Sequence, residues 1–219
     1  MAYSKAYRRF VENQKDVLRL QELHEEKAGL TPGRKYGVEV LSKSAIVLIS
    51  AYWEAYIEDV CEEAIFRLLV NTKDPAQLPE DLRMSVARRV RKDDDERAPW
   101  RLAQDGWRAM CKQHVCDKLT RLNNPKSERV RELFTLALGI TDVTDSWSRR
   151  RMTKDKACEK LDGFIDLRGS IAHRGKSGAT VTKKQWTDFL SLAEELAAAT
   201  DKRVLKRLQE LTGYGFAVK

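Results

Sequence analysis

The sequence predicts an all-α fold, a helical bundle of about seven to eight helices in one domain over residues 1–219. Three observations lead there. Apolar residues recur at three- and four-residue spacing along most of the chain. Almost no stretch shows the period-two alternation, bounded by turn residues, that marks a strand. Eleven glycines and five prolines in 219 residues leave few interruptions, far from the composition of a disordered or collagen-like chain.

The elements follow in order. A first helix is expected over about Ser4 to Glu26, with Phe10, Val17, Leu20 and His24 near one face, in an N-terminal segment 1–30 that halts at Gly29-Leu-Thr-Pro-Gly33. From about Val38 to Val70 apolar residues crowd nearly every side, Ala45, Ile46, Ile49, Trp53, Tyr56, Ile57 and Val60 among them, so this helix belongs at the centre of the bundle. Pro75 and Pro79 mark a turn before a short helix at about Asp81 to Arg91, which the acidic run Asp93-Asp-Asp-Glu96 ends. A helix from about Trp100 to Arg121 runs into the loop Leu122-Asn-Asn-Pro-Lys-Ser127, where Ser127 is the expected N-cap of a helix closed by Gly139. After an irregular stretch from Ile140 to Met152, Thr153 caps a helix with the stripe Ala157, Leu161, Phe164, Ile165 and Ile171, stopped at His173-Arg-Gly-Lys-Ser-Gly178. Thr182-Lys-Lys-Gln185 has capping-box spacing for a helix with the inner face Trp186, Phe189, Leu192 and Leu196. A separate amphipathic segment from Asp201 to Leu211 then ends in a short tail, residues 212–219.

Charge and length narrow the function. Forty-one Lys and Arg against 33 Asp and Glu give +8, which favours a polyanionic partner. A chain of this length buries about 70% of its unfolded surface and folds without an external staple. The longest uncharged stretch in the apolar material, Ser44 to Trp53, is ten residues, about half a bilayer-spanning helix, so no transmembrane helix is expected. No apolar run follows the basic residues near Met1, so no secretory signal and a cytoplasmic location are expected. Cys61, Cys111, Cys116 and Cys158 lie scattered within helical patterns and read as reduced core thiols.

The usual catalytic signatures are missing: no phosphate-cradling glycine loop, no GxSxG elbow and no histidine pair at metal spacing. Cys111, His114 and Cys116 form the one metal-like cluster, but 116 points away from the face that 111 and 114 share, and no second ligand group accompanies them. Of the three histidines, His24 and His114 sit mid-helix among apolar neighbours. His173 ends a helix, where the macrodipole favours the imidazolium by about 0.3 to 1 kcal/mol, and it follows Arg168 by five residues. Five residues are about 140° of rotation and ~7.5 Å of rise, so the two side chains do not share a face, and two copies packed about a two-fold would bring two such pairs into one groove. On spacing alone two readings stay open: a proton donor beside a phosphate-binding arginine, or an ion-paired Arg168 with His173 capping the helix.

Arg168-x4-His173, in the context Leu-Arg-Gly-Ser-Ile-Ala-His-Arg-Gly, resembles the R-x4-6-H motif of the HEPN superfamily. Ala51-Tyr-Trp-Glu-Ala-Tyr56, Leu122-Asn-Asn-Pro with Val130, Leu133 and Phe134 beyond it, and Leu138-Gly-Ile-Thr-Asp142 are similar, in order and spacing, to the RiboL-PSP-HEPN type over about Leu41 to Leu196. The resemblance implies a helical bundle that dimerises through its motif helices. It further implies a metal-independent endoribonuclease, without a cofactor, of toxin-antitoxin or phage-defence systems. The partners implied are RNA, a second copy in a homodimer, and a cognate antitoxin or regulatory protein, with no membrane. Arg168 and His173 match the motif and Glu54 an acidic position expected to orient the motif helix. Gly169 stands where many HEPN nucleases carry Asn, Asp or His, so Ser170 is the substitute polar contact or activity is reduced. The implied reaction is attack of the RNA 2′-hydroxyl on the adjacent phosphate, His173 moving the proton and Arg168 holding the developing charge.

For RNA contact the sequence offers Arg174, Lys176, Lys183 and Lys184 after the motif and Arg149, Arg150 and Arg151 before it, with a third basic group from Arg83 to Lys92. The alternative reading is a non-catalytic HEPN module that binds nucleic acid or a partner protein, and a weaker third is a structural helical subunit kept soluble by its charge.

Overall fold

A computed structural model describes residues 3–28, 38–174 and 181–216, with the side chains of Lys27, Ala28, His173 and Arg174 outside that description. Among the described residues the chain is all-α, with seven α-helices: α1 (Lys5–Ala28), α2 (Glu39–Asn71), α3 (Glu80–Arg91), α4 (Gly106–Leu119), α5 (Ser127–Leu138), α6 (Lys154–Arg174) and α7 (Lys183–Thr212). The nearest thing to a strand is one antiparallel bridge, Arg149 with Met152.

Helix α2 is the axis of the bundle, packed by α1, α4, α5, α6 and α7. Trp53, Tyr56, Ile57, Val60, Cys61, Ala64, Ile65 and Leu68 are fully sealed along it, as expected of a helix apolar on nearly every side. By length and composition alone α2 also passes as a membrane span, contrary to the sequence expectation. Its neighbours on all sides account for that composition, because a bundle's central helix must be apolar for the same reason as a lipid-embedded one. The polar ends of its aromatics are satisfied: Tyr56 Oη donates to Ala197 O at 2.8 Å and Trp53 Nε1 to Pro125 O at 3.0 Å. The Trp53 and Trp147 rings meet edge to face at 6.0 Å, a contact worth about 0.5 to 1.5 kcal/mol beyond its area.

Three further expectations need correction. Helix α4 starts at Gly106, six residues later than predicted, because Pro99 opens a 3-10 turn (Ala98–Leu102) and Gln104 turns left-handed at φ +51°. A Cβ on Gly106 would lie 2.1 Å from the Arg101 carbonyl oxygen, so only glycine starts the helix there. Ser127 is the first residue of α5 rather than its cap. Its N–H and hydroxyl donate to Asp162 at 2.8 and 2.9 Å, so a carboxylate from α6 satisfies that helix end. The two C-terminal segments are one 30-residue helix, since the Ala197–Thr200 stretch between them is buried or half-buried against the core. The stop at Gly139 (φ +62°) and the Thr182–Gln185 capping box form as read. Cys61 and Cys111 are buried free thiols and Cys116 and Cys158 are half-buried ones.

Candidate nucleic-acid site

The motif arginine is held by a loop, and the loop by two helices. Arg168 is half-buried on α6, and its Nη1 donates to Asn124 Oδ1 at 2.9 Å. Asn124 sits in the left-handed region at φ +55°, which Asn tolerates better than other side chains. Its own N–H is directed at Glu54 Oε2 on α2, 3.4 Å away. Glu54, Asn124 and Arg168 thus form a chain from the central helix to the motif helix. An acceptor on the guanidinium fixes its plane while leaving its other N–H groups to donate elsewhere, which suits a group that must present a fork to a phosphate.

The rest of the loop is clamped residue by residue. Pro125 accepts from Trp53, the neighbour of Glu54, Lys126 pairs with Asp166 at 2.7 Å, and Ser127 is bound by Asp162. The Asp166 carboxylate raises the Lys126 ammonium above its usual range, through a hydrogen bond first and then through charge. Asp162, Asp166 and Arg168 therefore all reach from α6 to the Asn124–Ser127 loop. Helix α6 carries its backbone on to His173, whose side chain lies outside the described residues.

Other predicted residues are placed as follows. Ser170 is exposed and its hydroxyl donates to the Asp166 carbonyl at 3.1 Å, one turn back in its own helix. A Cβ on Gly169 would meet nothing within 4 Å. Lys183 is paired with Glu25 at 2.6 Å, Lys184 with Asp188 at 2.9 Å and Arg149 with Glu195, so each of these cations is already partly compensated. Arg150 and Arg151 are exposed in the turn before α6, and Arg151 lines a groove of about 680 Å³ with Lys156, Lys160, Phe164 and Leu167. Arg174 and Lys176 lie outside the described side chains. The cysteine-histidine cluster does not assemble: His114 Nε2 pairs with the Ser85 hydroxyl at 2.7 Å, and among the described residues no group of three His, Cys, Asp or Glu is arranged to hold a metal.

Residues 8–206 match the model of the RiboL-PSP-HEPN family. The chain belongs to that family. No curated protein and no solved structure matches it. RiboL-PSP-HEPN membership covers nearly the whole bundle, from α1 into α7, and ties the chain to nuclease or nucleic-acid-related function. The residue that sequence reasoning passed over as a site member is Asn124. Its signal was present: an asparagine before a proline, in the loop that leads into α5.

Proposed function

We propose that the protein is a HEPN-type endoribonuclease that cleaves RNA by 2′-hydroxyl transesterification, with Arg168 and His173 as its catalytic residues, acting in the cytoplasm as a toxin or defence effector. The observation that carries the reading is the Glu54–Asn124–Arg168 chain. It orients a guanidinium on the helix that bears His173, and an arginine spent on a structural ion pair would instead face a carboxylate. In the reaction the imidazole accepts the proton of the attacking 2′-hydroxyl or donates one to the departing 5′-oxygen. The guanidinium holds the charge that grows on the phosphoryl oxygens. The products are a 2′,3′-cyclic phosphate and a 5′-hydroxyl, and no metal enters the scheme.

A homodimer fits this reading. Phe164, stacked on Phe189 at 4.4 Å, and Leu167 are only partly buried and line a groove with Lys156, Lys160 and Arg151, where the same helix of a second copy can pack and bring two motif pairs together. Sedimentation at micromolar concentration is expected to show a dimer, and full activity in a strict monomer would reject the shared site.

The decisive experiment incubates the protein with mixed RNAs in EDTA. Cleavage is expected from the wild type and not from His173→Ala. Arg168→Lys keeps the charge but loses the fork, and it should lower turnover by about two orders of magnitude with an unchanged melting temperature. Undiminished cleavage by either variant would end the assignment. Salt-dependent RNA binding without turnover would favour the non-catalytic module, a reading that Gly169 motivates.

A further inference from the structure

Beside the loop that holds Arg168 lies a cleft of about 420 Å³ between the end of α4 and the outer face of α5. Its apolar side is Leu122, Leu133 and Leu136, and its basic rim includes Lys118 and Arg121. Asn123 belongs to the same lining, and the next residue in the chain is Asn124. Consecutive Cα atoms are about 3.8 Å apart, so the cleft begins one residue from the arginine's own ligand.

Its place beside the Asn124 loop, rather than charge alone, sets this cleft apart from the other basic segments, since Arg150 and Arg151 are also exposed and outside any ion pair among the described residues. Lys183, Lys184 and Arg149 each face an acid, whereas among the described residues no carboxylate lies within ion-pair distance of Lys118 or Arg121. The third cation of the rim, Arg129, is matched by Glu132 at 2.9 Å. Two positive charges without an ion-pair partner therefore stand over an apolar floor. The α4 dipole explains a lysine in its last turn, while Arg121 lies beyond the end of that helix and adds its charge to the hydrogen bonds from Gln113 and Arg89 that hold the Asp117 carboxyl below its usual range.

We propose that this cleft is a nucleotide subsite for single-stranded RNA: it seats a base against Leu133 and Leu136 and a phosphate between Lys118 and Arg121, next to the phosphodiester held by Arg168. The proposal rests on the endoribonuclease reading. A flexible strand with an exposed base face and one phosphate per residue matches an apolar floor with a cationic rim, whereas an acidic peptide would leave that floor unfilled. The subsite fixes the strand's register while Arg168 and His173 act one position along.

The test compares two double variants that remove equal charge: Lys118→Gln/Arg121→Gln in the cleft, and Lys202→Gln/Lys206→Gln in a second basic groove on α7. All four side chains are exposed, and circular dichroism confirms folding. At about 0.15 M salt the cleft variant is expected to raise KM for a short oligoribonucleotide by about tenfold or more, the loss falling on KM rather than kcat. Its log-log salt slope should flatten by roughly 0.7, the contribution of the one single-strand phosphate contact that is lost. Lengthening a minimal substrate by one nucleotide should lower KM in the wild type and not in the cleft variant. Equal weakening by both double variants would reduce the effect to general charge, and an unchanged KM in the cleft variant beside active wild type would overturn the subsite while leaving the nuclease reading intact. If the wild type neither binds nor cleaves RNA, the underlying reading falls and the subsite with it.

Discussion

Asn124 gives the sharpest test of how the site is built, because its side chain and its backbone do separable things. The side chain supplies Oδ1 to Arg168, and the backbone holds φ at +55° while directing its N–H to Glu54. Asn124→Gly keeps the backbone conformation without strain and removes the acceptor. A hydrogen bond to a charged group is worth about 1.5 to 3 kcal/mol, and a half-buried arginine belongs at the lower end, so losing it should cost roughly tenfold in cleavage rate through a misoriented guanidinium. The same loss should lower the melting temperature by roughly 3 to 6 °C. Asn124→Ala loses the same acceptor and adds a left-handed penalty of about 1 to 2 kcal/mol, or on the order of 2 to 4 °C per kcal/mol in a chain of this size. Asn124→Asp keeps an acceptor but sets a full negative charge against Arg168. It should fold well and cleave poorly, because the charge meant for phosphate is then neutralised. The assay is single-turnover cleavage with thermal melting on the same preparations. An Asn124→Gly enzyme that cleaves at the wild-type rate would show that Arg168 needs no such orientation, and the chain from Glu54 would lose its meaning.

Two further outcomes are expected. Gly163 and Gly169 lie within α6, and a Cβ added at either would meet nothing within 4 Å, so each replacement by Ala should raise stability by about 0.8 to 1 kcal/mol, seen as a higher melting temperature; a fall at either position would mean that glycine is required there. His24 and His114 both have their protonation depressed by burial, with Lys183 acting further on the first and Lys118 and Arg89 on the second, against weaker opposing pulls from Glu25 and Asp117. The unfolded chain therefore binds these protons more readily, and stability should fall as pH drops through and below about 6.5; melting curves at pH 7.5 and 5.5 check this, and His24→Gln with His114→Gln should flatten the difference.

The bundle was legible because its signals are local and repeated. The apolar density of α2, the glycine after Leu138 and the Thr182–Gln185 spacing each act within a few residues, and each formed as read. The late start of α4 came from a local 3-10 turn, but two other misreadings share a cause, namely that the deciding contact came from far along the chain. Ser127 looked like a cap because serine usually is one, but Asp162, 35 positions away, took that role. Asp201 read as the start of a separate amphipathic segment. It is instead buried within α7, where Ser4 donates to it from both its N–H and its hydroxyl, and burial raises its carboxyl above the usual range. At the site the same division holds. Arg168 and His173 are visible as a spacing on one helix, whereas Asn124 becomes a site residue only when α2 and α6 are brought against its loop.

That convergence couples the core to the chemistry. Trp53 and Glu54 are adjacent on α2, and they bind adjacent residues of the loop, Trp53 the carbonyl of Pro125 and Glu54 the N–H of Asn124. Trp53 is completely buried and Glu54 is half-exposed, so one helical step carries the packing of the bundle's centre out to the arginine's ligand. A change that tilts Trp53 must therefore shift the Asn124 backbone, even if nothing at the surface is altered. Trp53→Phe, which keeps an aromatic ring and removes the indole N–H, leaves the Pro125 carbonyl without its donor. The physical consequence is a loosened loop and a less well aimed Arg168, with the cleavage rate falling further than the lost stability alone would account for. A bundle that merely displayed Arg168 on a rigid helix would show no such excess.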